Sequence, residues 1–368
     1  MADCVEKRRQ SRAAGTLILL VGPEPSLADR IREWPKAELH LHLEGAIEPR
    51  TAVELAARHG QDLPLDEVAA RYRYEDFRGF LEAFKWVTSL LREPADYALI
   101  AGRLAEILRG QNVAYAEITL SVGVMLKRHQ DVAANFVALR AAAERAAAGA
   151  LRLQWVFDAT RQFGAEKAME VARCAADERG AGVVAFGLGG DELAAAAAEF
   201  RPAYDFARSR GLHALVHAGE IGGADEVRRA VEMLGAERIG HGIASARDPE
   251  VIELLGQRKI PLEICPTSNL RTGALGRVTG NPLSALAEHP VADLFFAGVP
   301  VTLSTDDPAM FETSLVREYE ASASAGLGVA DLIRVNEQGF KSAFLPEAER
   351  EALLARFHRV LESQGLIY

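Results

Sequence analysis

Three short segments carry residue types suited to metal-assisted hydrolysis: AELHLHLEG (Ala37 to Gly45), LVHAGE with RIGHG downstream (Leu215 to Gly242), and STDDP (Ser304 to Pro308). His40 and His42 are two apart in a strand-like run, so both side chains face the same way and form half of a zinc site. An HxH pair alone is a weak signal. His217 brings a third imidazole at the end of another apolar run, and Glu220, three residues on, is a candidate acid. Asp306 and Asp307 follow a third run; adjacent side chains diverge, so one can face a metal and its neighbour a substrate. Pro308 holds Asp307 to extended or turn geometry. If His40, His42, His217 and Asp306 are the ligands, His241, set between glycines, is free to hydrogen-bond a water on the metal. Gly45 permits a tight turn where a substrate could come close. His213, four residues before His217, reads as a deeper histidine bonded to backbone.

These groups need a scaffold that gathers them at one place. Apolar, β-rich runs at residues 38–43, 114–120, 152–157, 183–187, 213–217, 238–241, 261–264 and 300–304 predict eight strands. Segments with helical apolar spacing lie between them, among them 97–108, 165–179, 224–234 and 249–255. Strand-then-helix order implies a parallel sheet, and eight units close into an α/β fold, a (β/α)8 TIM barrel. Residues 51–109 read as a helical insertion after strand 1, placed to cover the barrel mouth. Each motif falls at the C-terminal end of a strand, where such barrels build their sites.

The chain of 368 residues is 49% apolar and 26% charged, so it is globular. A formal charge of −10 and a pI near 5.5 give no general footprint for nucleic acid or an anionic membrane. Cys4, Cys174 and Cys265 form no CxxC, which argues against a disulfide framework and for a cytoplasmic protein. Lys7 to Arg9 ahead of the apolar stretch Ala13 to Val21 imitate a signal peptide, but no small-residue cleavage pattern follows. No run reaches the roughly 18 residues that span a membrane. The expected organisation is a poorly ordered extension over residues 1–33 and one barrel domain over 34–368.

With these motifs in this order, the chain resembles the adenosine deaminase family of the amidohydrolase superfamily from about Lys36 to the C-terminus. The resemblance implies one Zn2+ per chain on His40, His42, His217 and Asp306, and a small-molecule purine nucleoside as substrate, whose 6-amino group leaves as ammonia. It implies that Glu220 protonates the ring nitrogen beside the attacked carbon, and that His241 orients and helps deprotonate the water. Asp307 would bond the imidazole-ring nitrogen of the purine, and Gly190, in FGLGGDE, would offer its N–H. Binuclear relatives carry a lysine on strand four; none occurs over residues 183–190. The HxE with PCxxC design of other nucleobase deaminases is absent as well.

Two departures bear on the substrate. Adenosine-specific members place an aspartate before the glycine of HxHxxG to bond the ribose, where this chain has Glu44, as adenine deaminases do. Gly187 and Gly189 replace larger residues on strand four and predict a roomier mouth. FGLGGDE and CPTSNLRTGAL are similar to members that include aminodeoxyfutalosine deaminases, whose substrate carries a carboxyphenyl group at the 5′ position. Lys85, Arg161 or Arg271 could meet that carboxylate, and Phe77, Phe80, Phe84 or Trp86 could line the substrate side. The expected substrate is adenosine itself or a 5′-substituted adenosine such as aminodeoxyfutalosine, with free adenine or a non-purine substrate of an amidohydrolase as the alternatives.

Overall fold

The computed structural model describes residues 25–366. The leader expected near the N-terminus lies largely outside them, but residues 25–33 do not form an extension. Leu27–Glu33 is a helix, opened by a capping box in which Ser26 and Asp29 satisfy each other's backbone N–H groups. Ile31 and Trp34 are buried, with Trp34 packed edge-on against Tyr319 and Phe357. The ordered domain therefore begins before residue 34.

Eight parallel strands follow in sequence order around one sheet: β1 Lys36–His42, β2 Val113–Leu120, β3 Arg152–Thr160, β4 Val183–Gly189, β5 His213–Ala218, β6 Arg238–His241, β7 Leu262–Ile264 and β8 Val301–Leu303. A parallel bridge from Leu41 to Asp306 closes the ring: the His42 N–H donates to the Asp306 carbonyl at 2.8 Å and the Asp306 N–H to that of His40 at 3.0 Å. The expected (β/α)8 TIM barrel is the fold. Apolar runs make these strands because helices cover their outer face and side chains fill the inside, leaving no wet side to demand polar alternation.

The insertion after β1 consists of helices Pro49–Arg58, Leu65–Arg71, Phe77–Thr88 and Pro94–Gly110. The third starts at Asp76, whose carboxylate accepts the Gly79 N–H, and presents Phe80, Ala83 and Val87 to the core at helical spacing. Among the described residues no helix is long and apolar enough to cross a membrane.

Candidate active site

β1 sends Glu38, His40 and His42 into the barrel at successive inward positions. His40 Nε2 and His42 Nε2 lie 3.5 and 3.3 Å from Asp306 Oδ1, and His42 Nε2 lies 3.2 Å from His217 Nε2. With bonds of about 2.0–2.2 Å to a metal in a tetrahedron, neighbouring ligand atoms stand about 3.3–3.6 Å apart, so these contacts, with all four ligand atoms within 4.8 Å of one another, suit one ion. Two further observations support the fit. His40 Nε2 is buried without a hydrogen-bond partner. His42 and His217 face each other nitrogen to nitrogen, and burial holds both on the neutral side, His42 at about 4. A cation is what such a set of inward lone pairs would satisfy.

Two of the four side chains, His40 and Asp306, are aimed from behind. His40 Nδ1 donates to Glu263 Oε2 at 2.8 Å, which fixes its tautomer with the lone pair on Nε2. Glu263 Oε1 in turn accepts from Arg238 Nε at 2.6 Å, and Arg238 also pairs with Glu117. All three are buried. Ser268 Oγ donates to Asp306 Oδ2 at 2.7 Å. Burial opposes ionisation of Asp306, but the histidines around it hold its carboxyl well below the ordinary range; Asp307, buried beside it, is pushed well above.

Glu220 and His241 stand next to the quartet, Glu220 Oε2 lying 3.6 Å from His241 Nε2. Burial, reinforced by the charges of Asp306 and Glu192, raises the Glu220 carboxyl to about 8, so it carries a proton at neutral pH. The turn that presents it is held by a residue that sequence reasoning did not single out. Glu192 accepts backbone N–H groups from Gly219, Glu220, Ile221 and Gly222 at 2.7, 2.8, 3.1 and 3.2 Å. The acidic pair ending FGLGGDE was its only trace in the sequence.

His241 adopts left-handed backbone, φ 62°, as does Asp306, φ 63°. Non-glycine residues rarely do so, and such strain concentrates at working sites. A hydrogen-bond chain fixes the tautomer of His241. The Val291 N–H can only donate, and it donates to His289 Nδ1 at 3.1 Å. His289 Nε2 must then carry the proton it gives to Asn269 Oδ1 at 3.1 Å, and Asn269 Nδ2 donates to His241 Nδ1 at 3.1 Å. The neutral ring therefore has its proton on Nε2, toward the site, which suits holding an oxygen in place rather than taking a proton from it.

These groups floor a cavity of about 480 Å³, within the roughly 300–1,000 Å³ of small-molecule sites. Gly190, Asp307, Asp158, Thr160 and Gln162 line it, with Phe77, Phe80, Phe84 and Phe163 above and Lys85, Lys127 and Arg128 at the lip. Expectations for four residues change here. Arg161 is buried and turns its guanidinium to Glu226 and to the carbonyls of Glu192, Ala195 and His217. Arg271 lies over the Tyr74 ring at 5.5 Å, and Trp86 under Arg71 at 4.7 Å; neither lines the cavity. His213 is half-exposed, paired with Glu237 at 2.8 Å and stacked on Phe344, not a core histidine.

The glycines are also differently employed. A Cβ on Gly45 would stand 1.6 Å from Asp307 Oδ1, so the close approach it permits is that of Asp307. Gly187 and Gly189 do not widen the mouth: added Cβ atoms would lie 2.5 Å from Asp158 Oδ1 and 2.8 Å from Oδ2, space that this carboxyl already fills. Glu44 is buried, accepts the Ser121 N–H at 3.0 Å, and is not among the residues lining the cavity.

A parallel barrel with histidines and an aspartate at its mouth, a raised carboxyl beside them and a purine-sized cleft defines a hydrolytic deaminase of the amidohydrolase type. The chain belongs to the adenosine deaminase family, whose profile matches residues 35–360. It is 41% identical over 319 residues to an aminodeoxyfutalosine deaminase of Streptomyces coelicolor, covering 84% of this chain and 80% of the relative. It is 35% identical over 326 residues to an adenine deaminase of Sinorhizobium fredii, covering 88% and 98%. Among solved structures it is similar to an adenine deaminase from Arthrobacter aurescens, with TM-score 0.80 and 26% identity over 89% of this chain and 99% of that one. An amidohydrolase from Burkhoderia ambifaria with bound Zn gives TM-score 0.83 and 25% identity over 95% and 98%.

Proposed function

We propose that the chain is a zinc-dependent deaminase of adenine nucleosides that carry a large anionic 5′ group, with aminodeoxyfutalosine as the type of substrate. The observation that carries this reading is the shape and charge of the cavity. From the histidine cluster it runs past Phe77, Phe80, Phe84 and Phe163 to a lip where Lys85, Lys127 and Arg128 outnumber one acid, Glu82. Aromatic walls suit a purine and a second ring, and the lip suits a carboxylate. The relative at 41% identity bears the corresponding name.

In this reading His40, His42, His217 and Asp306 hold one zinc ion, which when bound supplies a water acidic enough to attack at neutral pH. Glu220, protonated, donates to the ring nitrogen beside the amine-bearing carbon and makes that carbon electrophilic as attack occurs. His241 holds the attacking oxygen through its Nε2–H. Asp307 bonds the imidazole-ring nitrogen and the Gly190 N–H meets the opposite edge; of the water's two protons, one leaves with ammonia and the other restores Glu220, whose own proton stays on the ring nitrogen. The phenylalanines exclude bulk water, which strengthens each of these contacts.

The test is turnover by zinc-loaded protein on aminodeoxyfutalosine, adenosine and adenine, compared as kcat/KM. A preference for aminodeoxyfutalosine of about two orders of magnitude, roughly 2.7 kcal/mol, is expected. Preference for adenosine or adenine would refute the anionic 5′ group while leaving the deaminase chemistry in place.

A further inference from the structure

Asp158 belongs to no motif used above, yet it lies in the cavity wall. It sits on β3, two residues inside Thr160 on the same inward face, and lines the cavity with Gly190, His217 and Glu220. It is 7% exposed, and Oδ1 is fully buried without a hydrogen-bond partner. No ion pair reaches it among the described residues. The neighbouring strand makes room for it twice, with Gly187 and Gly189 leaving bare the space that its two oxygens fill. Burial is the main reason its carboxyl is held well above the ordinary range. A fold that clears two side chains to seat a carboxyl in the cavity wall, with Oδ2 over Gly189 at the mouth end of β4 and no side chain bonded to it, has kept that carboxyl for a ligand.

The chemistry of an adenine nucleoside narrows the partner. Its hydrogen-bond donors are the 6-amino group and the sugar hydroxyls. The amino group must stand at the histidine cluster, and the ring nitrogens, which only accept, are served by Glu220, Asp307 and Gly190 in the reading above. The sugar hydroxyls are left. Glu44, the residue expected to meet them, does not line the cavity: one oxygen accepts the Ser121 N–H from behind the wall and the other is buried without a partner. We infer that Asp158 is the residue that binds the ribose, accepting a hydrogen bond from its 2′- or 3′-hydroxyl, so that sugar recognition in this chain comes from β3. The inference rests on the nucleoside reading of function.

The experiment compares zinc-loaded wild type, Asp158→Ala and Asp158→Asn on adenosine, 2′-deoxyadenosine, 3′-deoxyadenosine and adenine, with kcat and KM separated and zinc content measured. Loss of a hydrogen bond to a carboxyl predicts a KM for adenosine raised roughly 10- to 100-fold in D158A, with zinc content unchanged. D158N is expected to fall between D158A and wild type. One deoxy analogue should show the same rise with wild type and no additional rise with D158A, because the interaction is already missing. Adenine should be indifferent to the substitution. If wild type treats both deoxy analogues like adenosine, or D158A loses equally on all four compounds, or zinc is lost, Asp158 is not the ribose contact. The wild-type comparison can overturn the inference by itself, even if a variant fails to fold. A wild type that deaminates adenine but no nucleoside overturns the nucleoside reading itself, and the inference with it.

Discussion

Arg238 offers a test of how far the site depends on the opposite end of the barrel. It begins β6 and is buried against Glu117 and Glu263, with its guanidinium 3.8 Å above the Phe344 ring and Nη1 donating to the Ser342 carbonyl at 2.6 Å. Arg238→Met keeps the volume and removes the charge. Two buried carboxylates then share no cation, and breaking a buried pair in this way costs about 3–5 kcal/mol. At about 2.1 cal/mol/K per residue, 368 residues give an unfolding entropy of about 0.8 kcal/mol/K, so Tm should fall by about 4–6 °C. The effect on metal follows from the hydrogen-bond logic. Burial pushes the Glu263 carboxyl up, and Arg238 with His40 is what keeps it ionised. Without the arginine, Glu263 gains a proton, becomes a donor to His40 Nδ1, and transfers the imidazole proton to Nε2, where the metal should bind. Zinc affinity should fall about 10- to 100-fold. A chelator-competition titration and a thermal scan of the metal-free protein read the two effects separately. Zinc affinity within threefold of wild type would refute the relay through Glu263, whatever the Tm.

Other perturbations address the groups nearer the substrate. Gly45→Ala places a Cβ 1.6 Å from Asp307 Oδ1 and must displace that carboxyl by well over 1 Å, so kcat/KM should drop about 100-fold with zinc retained, as steady-state kinetics and metal analysis would show. Because Glu220 must be protonated to act and its pKa is raised to about 8, kcat/KM should fall tenfold per pH unit above about pH 8; Glu220→Gln should keep zinc and fold but lose nearly all turnover at every pH. A flat profile to pH 10 would exclude Glu220 as the acid. Glu192→Gln swaps one acceptor oxygen for an NH2 group facing backbone donors, leaving two of the four N–H groups unpaired. At roughly 1–3 kcal/mol for each unsatisfied group, denaturant unfolding should register a loss of about 2–6 kcal/mol, and kcat should fall as Glu220 loses its position.

The strands and the clustering of His40, His42, His217 and Asp306 were legible in the sequence for the same reason. A strand buried on both faces announces itself as an apolar run, and the residues that end it, His42, His217 and Asp306, stand out against that background. The supporting groups were not legible, because their partners are distant in the chain. Nothing near Glu117 points to Arg238, 121 residues on, and nothing near Asn269 points to the backbone of Val291. The ordered helix Leu27–Glu33 was missed because seven residues with a mixed apolar face carry little periodic signal; its support is tertiary, through Trp34 and the Lys36 ammonium on the Ile31 and Trp34 carbonyls.

The glycines show a more general limit. A glycine in a sequence says that a side chain is absent, but not what occupies the space. Gly45, Gly187 and Gly189 each read as room for substrate, and each proves to be room for a carboxyl from the adjoining strand or its end: Asp307 over Gly45, Asp158 over the other two. Gly240 repeats the device across the barrel, since a Cβ there would come within 2.6 Å of His40 Cε1. A close-packed barrel interior has no spare volume for a long polar side chain beside another. Each inward group that must point at the mouth therefore needs a bare Cα next to it. On that basis an inward glycine in such a barrel marks the neighbour of a working residue. It is the absence of side chains at Gly187 and Gly189, more than any motif, that draws attention to Asp158.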